Sequence, residues 1–187
     1  MIKYFKHHPS KLTTWLFFFI GLTVFIGVYS YMMRLYIEIG MSMDYFNTVW
    51  LSFNSEKFAT FFKQIIEDDN LNKFLFVFKL NILSISAFMI AFYGLSLIIV
   101  RQIIPTSRVY KMAYLFPLFP IIIAIFDIIP SVLILALKSV YSNFPIWLSY
   151  IISGGYVVRV LLLYILLIWF ISTIIWFAIR RIRKAKT

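Results

Sequence analysis

Asp127, Arg159, Lys79 and Asn81 are the residues of this chain whose chemistry stands out from its surroundings. Each lies in or at the edge of a long apolar stretch, and Asp127 is the one acidic residue inside such a stretch. A charge at the centre of a bilayer costs at least about 2.5–3.5 kcal/mol on the insertion scale, so it faces protein or water and takes a partner. Counted along helices, Arg159 stands about 7 Å further out than Asp127 at a rise of about 1.5 Å per residue, a gap that tilt and a long side chain can close. Lys79 enters its own stretch at a comparable depth, and Asn81 lies just beyond it. A polar cluster of these four residues is therefore expected below the outer surface. Two readings stay open. The cluster is an ion pair that locks helices together, costly to break even where it adds little net stability, or it is a site for an anionic ligand such as a lipid headgroup.

Residue types exclude other chemistries. The chain has no cysteine, which removes disulfides, thiol catalysis and thiolate metal sites. An intramembrane serine protease needs an embedded histidine or comparable base. The only histidines, His7 and His8, sit together in a basic N-terminal tail with no carboxylate beside them, a poor metal site. An aspartyl protease needs two carboxylates sharing a proton, and the apolar stretches hold one. There is no HExxH, P-loop or dinucleotide-binding glycine pattern, nor the several carboxylates that divalent metals require. Ser84, Ser86 and Ser131 lie in apolar stretches, where small hydroxyls bond to helix backbones or aid packing. No catalytic residue, metal or cofactor is expected.

Long apolar helices must position these groups. Of 187 residues, 63% are hydrophobic, 20% aromatic and only 13% charged, with a mean hydropathy of +0.92. Soluble domains are about 45–50% apolar and about 25% charged, so this composition is that of an integral membrane protein. A hydrocarbon core about 30 Å thick needs about 20 mostly apolar residues per helix. Four stretches meet that length, at about 14–36, 74–100, 112–137 and 147–179. The first is too long and too aromatic for a secretory signal and reads as a retained anchor. The fourth exceeds one perpendicular helix, so residues 146–156 are expected to form an interfacial segment, with Gly154-Gly155 a break or a close contact. Trp15, Trp147 and Trp176 suit the aromatic belts of the two interfaces. Pro117, Pro120 and Pro130 flank Asp127 and are expected to kink the third span. The carbonyls they free either line a cavity or are taken up by neighbouring helices.

Charge placement predicts orientation, because Lys and Arg collect in cytoplasmic flanks. Lys3, Lys6 and Lys11 precede the first span; Arg101, Arg108 and Lys111 separate the second from the third; Arg180, Arg181, Arg183, Lys184 and Lys186 follow the fourth. These segments hold no acidic residue and account for the whole net charge of +11, since the other basic residues cancel the seven acidic ones. Both termini are therefore expected in the cytoplasm, with residues 180–187 a basic cytoplasmic tail that sets topology and could also attract anionic headgroups.

The outer loop, about 37–73, carries Glu38, Asp44, Glu56, Glu67, Asp68 and Asp69. Ser55 is read as a helix start, its hydroxyl satisfying free N–H groups. Phe58, Phe61, Phe62, Ile65 and Ile66 then recur at helical spacing among Lys57, Lys63, Gln64 and Glu67, the pattern of an amphipathic helix. Phe46, Val49, Trp50 and Phe53 form a weaker stripe upstream. Both are expected to lie on the outer membrane surface or to cap the spans.

Two stretches also carry a resemblance. From Pro117 the chain reads Pro-Leu-Phe-Pro-Ile-Ile-Ile-Ala-Ile-Phe-Asp-Ile-Ile-Pro-Ser, and from Tyr150 it reads Tyr-Ile-Ile-Ser-Gly-Gly-Tyr-Val-Val-Arg. Over roughly residues 55–170 this is similar to a group of small four-span bacterial membrane proteins with a Phe-Asp-x-x-Glu-Asn element in the third helix. Phe126 and Asp127 match that element; Pro130 and Ser131 stand where Glu and Asn would be, and Asn81 where an Asp is often found. The resemblance implies four spans and the polar cluster, and it implies no function.

The resulting expectation is an all-α, single-domain, four-helix membrane bundle with an amphipathic helical loop between spans 1 and 2, in a bacterial cell membrane. The leading functional reading is a non-enzymatic accessory or scaffold subunit, or a lipid-binding protein. Its partners would be membrane lipids, other membrane subunits or further copies of itself, not nucleic acid. The alternative is a small oligomeric transporter or channel using Asp127 and the kinked third helix. A lipid-modifying enzyme ranks last for want of catalytic groups.

Overall fold

Ser10 starts the first helix: its Oγ accepts from the Thr13 N–H at 3.1 Å, pairing one of the donors that a helix start leaves unmatched. From there α1 runs Lys11–Glu38 and ends before Gly40, whose φ of +69° suits a residue without Cβ. Two short helices follow, α2 (Met43–Trp50) and α3 (Ser55–Glu67), then α4 (Leu71–Val100). A 3-10 turn at Phe116–Leu118 leads into α5 (Phe119–Ala136), and α6 occupies Ile146–Ala185. This computed structural model describes residues 9–103, 113–136 and 144–185, with side chains as far as 179. Among them all regular structure is helical. Four helices are long and apolar enough to cross a membrane: α1, α4, α5 with its leading turn, and α6.

The four long helices neighbour one another as α1 on α4, α4 on α5 and α5 on α6, each pair antiparallel. Small residues bring α1 and α4 together. A Cβ on Gly21 would lie 2.7 Å from the Ala91 nitrogen, and one on Gly94 would lie 2.8 Å from the Thr14 carbonyl oxygen. Small side chains allow such backbone approach where lipid leaves no hydrophobic force to drive helices together. Arg101 adds a tie at the far end of the same pair, donating to Thr14 Oγ1 at 3.0 Å and to the Pro9 carbonyl at 2.8 Å.

At the end where α2 and α3 sit, an aromatic cluster joins the short helices to the long ones. Phe58 and Phe62 stack on Phe144 with ring centroids 4.8 and 5.6 Å away, and Trp50 meets Phe58 edge-on at 5.2 Å. Phe58, Phe62 and Phe74 are fully buried. The predicted stripe of α3 thus faces the long helices, except that Ile66 is exposed. The helix start also differs by one residue from expectation. Asn54, not Ser55, is the cap, its Oδ1 accepting from the Glu56 and Lys57 N–H groups at 2.8 and 3.2 Å. Just before it, Phe53 lies outside both short helices at φ +51°, a conformation disfavoured for a bulky residue. Its N–H is held by Ser153 Oγ of α6 at 3.2 Å.

Of the break or close contact expected at Gly154-Gly155, the break does not occur: residues 146–185 form one helix. Two glycines cost helix propensity of about 1 kcal/mol each, which neighbouring hydrogen bonds and packing outweigh. Trp15, Trp147 and Trp176 are exposed, the first and last toward one end of the molecule and Trp147 toward the other. His7, His8, Lys3, Lys6, Arg108, Lys111 and the second connecting loop at 138–143 lie outside the described residues, as does Lys186.

Candidate functional site

The site begins with a proline. Pro130 sits inside α5 and has no N–H to give the carbonyl of Phe126 one turn back. At that level α6 carries Gly155, where a Cβ would lie 3.0 Å from the Phe126 oxygen and 3.4 Å from Pro130 Cγ. The glycine lets α6 approach a stretch of α5 whose backbone is not sheathed by its own hydrogen bonds. One turn further along α6 is Arg159, on the same face because residues i and i+4 align. Its Nη1 donates to Asp127 Oδ1 at 2.8 Å, and the two side chains are 28% and 14% exposed.

This ion pair forms part of the wall of a cavity of about 340 Å³. Every long helix and α2 contribute to its lining. Tyr29, Met32, Met33 and Tyr36 come from α1; Met43, Phe46, Asn47 and Trp50 from α2; Phe78 and Asn81 from α4. From α5 come Phe126, Asp127, Pro130 and Ser131, and from α6 Ile152, Tyr156 and Arg159. Polar links cross between helices around it. Asn81 Nδ2 donates to Ser131 Oγ at 3.2 Å, and that hydroxyl donates to the Asp127 carbonyl at 3.0 Å. Tyr156 Oη donates to Asn47 Oδ1 at 2.6 Å, fastening α2 over the cavity. The Arg159 guanidinium lies 4.7 Å from the centroid of the Tyr156 ring, within cation–π range. One turn below the cavity, Ile85, Phe88, Ile123, Ala124, Leu166 and Phe170 form an apolar cluster.

Asp127, Arg159 and Asn81 therefore come together, and Lys79 does not. Lys79 is exposed and takes no part in the lining. Depth alone suggested it, but two helical residues apart means a rotation of about 200°, so Lys79 and Asn81 look in nearly opposite directions. The correction has an electrostatic consequence. Without Lys79, the described residues of the lining hold one carboxylate and one guanidinium and no net charge, so the expectation of an anionic ligand loses its surplus cation. Pro117 lies in the 3-10 turn and Pro120 in the first turn of α5, where a missing N–H is harmless. Neither lines the cavity.

Tyr36, Tyr156 and Asn47 are site residues that the sequence reading passed over. Tyr156 stands three positions before Arg159, a helical neighbour on one face, and that spacing could have found it. Asn47 enters only because α2 docks back over the long helices, which no local pattern announces. Among the described residues no three His, Asp or Glu side chains gather as metal ligands would. No protein-family model matches the chain, and no curated protein or solved structure matches it.

Proposed function

We propose that this chain is a non-enzymatic, multi-pass membrane protein that holds the polar end of a lipid in the cavity around Asp127 and Arg159, as an accessory or scaffold subunit of a bacterial cell membrane. The observation that carries this reading is the cavity itself. Its volume of about 340 Å³ is in the range of small-molecule sites, about 300–1,000 Å³, and its wall holds an ion pair where an apolar core would be the simpler solution. Charge placement orients the molecule with both termini in the cytoplasm, which puts the cavity in the outer half of the bilayer, within reach of headgroups. Binding is favoured over conduction because a path through the protein would have to cross the apolar cluster below the cavity.

Native mass spectrometry of protein extracted gently from its own membrane tests the proposal, with wild type compared against Asp127→Asn. A particular lipid retained at fixed stoichiometry, and lost from a folded variant, is the expected outcome. A folded chain that carries no lipid beyond the bulk composition overturns it.

A further inference from the structure

We infer that the occupant of the cavity is a zwitterion, with its anionic group on Arg159 and its ammonium on Asp127. This rests on the reading that the cavity holds a ligand, and it names the ligand's class. The first support is charge balance. Among the described residues Asp127 and Arg159 are the only charged ones of the lining, so the site they form carries no net charge. A guest of net charge would bring an uncompensated charge into a partly desolvated site, which is expensive. A zwitterion adds no net charge.

The second support is how incompletely the pair is used. A guanidinium offers five N–H donors in a planar fork and commonly grips a carboxylate by two parallel bonds. Here one bond forms, Nη1 to Oδ1 at 2.8 Å. Among the described residues the remaining donors of Arg159 and Oδ2 of Asp127 have no protein partner, yet none of these atoms is sealed from the surroundings. Both residues line the cavity, and both thus keep bonding capacity that no described residue takes up. An anionic oxygen can add to the free donors and an ammonium N–H to the free carboxylate oxygen without separating Asp127 from Arg159. A purely anionic guest could use only the Arg159 end and would be repelled by the Asp127 carboxylate at the other.

The third support is the aromatic lining on the same cavity. Tyr29, Tyr36, Trp50 and Phe78 are among the lining residues, and an ammonium is attracted to aromatic rings through their quadrupoles. The chemistry shared by the candidates is a phosphate joined to an ammonium through a short linker. It is present in a phosphatidylethanolamine headgroup and in free glycerophosphoethanolamine, whose phosphodiester carries one negative charge that the ammonium balances.

The test offers wild-type protein equal amounts of phosphatidylethanolamine and phosphatidylglycerol, matched in acyl chains, in vesicles, and counts retained lipid by native mass spectrometry. A separate arm adds free glycerophosphoethanolamine to delipidated protein and follows the melting temperature. The zwitterionic lipid should be retained about tenfold over the anionic one, the return on one additional charge-assisted hydrogen bond. Asp127→Asn gives the cavity a net positive charge and should reverse the preference. Lys79→Gln should leave it unchanged. Should Asp127→Asn fail to fold, the wild-type competition decides alone. Preference for the anionic lipid overturns the zwitterion and leaves a lipid-holding cavity standing. Retention of neither lipid, with no response to glycerophosphoethanolamine, overturns both. A shift with glycerophosphoethanolamine alone upholds the zwitterion and overturns the lipid as its source.

Discussion

Gly21 and Gly27 lie on the same helix, six residues apart, and the structure predicts opposite outcomes for the same substitution. At Gly27 a Cβ would meet nothing within 4 Å. Replacing a helical glycine by alanine there should stabilise by up to about 1 kcal/mol through helix propensity. At Gly21 the added Cβ would lie 2.7 Å from the Ala91 nitrogen, 2.9 Å from the Ala87 carbonyl oxygen and 3.0 Å from the Ala91 Cα. All three are backbone atoms that no rotamer change can remove. Ordinary contact begins at about 3.5 Å, so α1 and α4 must part by roughly 0.5–1 Å. Overpacking costs about 1–3 kcal/mol, and rigid neighbours place this case at the upper end. Set against the same propensity gain of about 1 kcal/mol, Gly21→Ala should lose about 2 kcal/mol, some 3 kcal/mol apart from Gly27→Ala. Equilibrium unfolding by SDS in mixed micelles, followed by tryptophan fluorescence, measures both. Gly94→Ala should follow Gly21→Ala, because its Cβ meets the Thr14 oxygen and the Phe18 nitrogen at 2.8 and 3.0 Å. If Gly21→Ala and Gly27→Ala agree within about 0.5 kcal/mol, the ordinary scatter of a surface change, the close crossing of α1 and α4 is refuted.

Four further outcomes follow from particular contacts. Asp127→Asn should cost about 1–2 kcal/mol, less than the roughly 3–5 kcal/mol of a fully buried broken pair, because both partners keep access to the cavity; adding Arg159→Gln should recover part of the loss in a double-mutant cycle. Phe58→Ala, fully buried between Trp50 and Phe144, should lose about 3–5 kcal/mol, whereas the exposed Phe53 should tolerate alanine to within about 0.5 kcal/mol. Asn54→Ala should cost about 1 kcal/mol as a lost helix cap, and Ser55→Ala should be near neutral; equal losses would contradict the assignment of the cap. Because the chain has no native cysteine, a single Asp68→Cys should react with a membrane-impermeant maleimide on intact cells and Lys186→Cys only after permeabilisation. Labelling in the reverse order would invert the proposed orientation.

The long helices were legible in the sequence because hydropathy integrates over many residues, and their ends were not, because caps depend on single side chains. The first span read as about 14–36 runs Lys11–Glu38, since Ser10 caps it and polar end residues dilute the hydropathy that marks a span. In the site, Asp127 and Arg159 were legible as opposite charges at compatible depth. Lys79 was misplaced because depth was weighed without rotation about the helix axis, information the sequence does hold. Asn47 was out of reach for another reason. Its place above the cavity depends on the aromatic packing of Trp50, Phe58 and Phe144, contacts between segments far apart in the chain. Gly155 was half read, as either a break or a close contact. Deciding between them required knowing that Pro130 leaves a carbonyl of α5 facing it.

Those contacts also explain why the cavity persists. A dry apolar void of about 340 Å³ would cost about 8 kcal/mol at about 24 cal/mol per Å³, comparable to the entire stability of many domains. Helices free to shift would close it. Here they are held apart by close contacts elsewhere: Gly21 and Gly94 fix α1 on α4, and Gly155 fixes α6 on α5. Trp50 and Phe78 fill the space above, stacked at 6.2 Å, and the apolar cluster around Ile123 fills the space below. Collapse would require breaking backbone-level packing on two sides at once. The opening is therefore tolerated because its wall is partly polar, so that the Asp127–Arg159 pair is solvated by whatever enters. A site whose rigidity comes from glycines and whose affinity comes from one half-used ion pair makes a specific demand: removing the charge should alter what binds, and filling a glycine should alter whether the cavity exists.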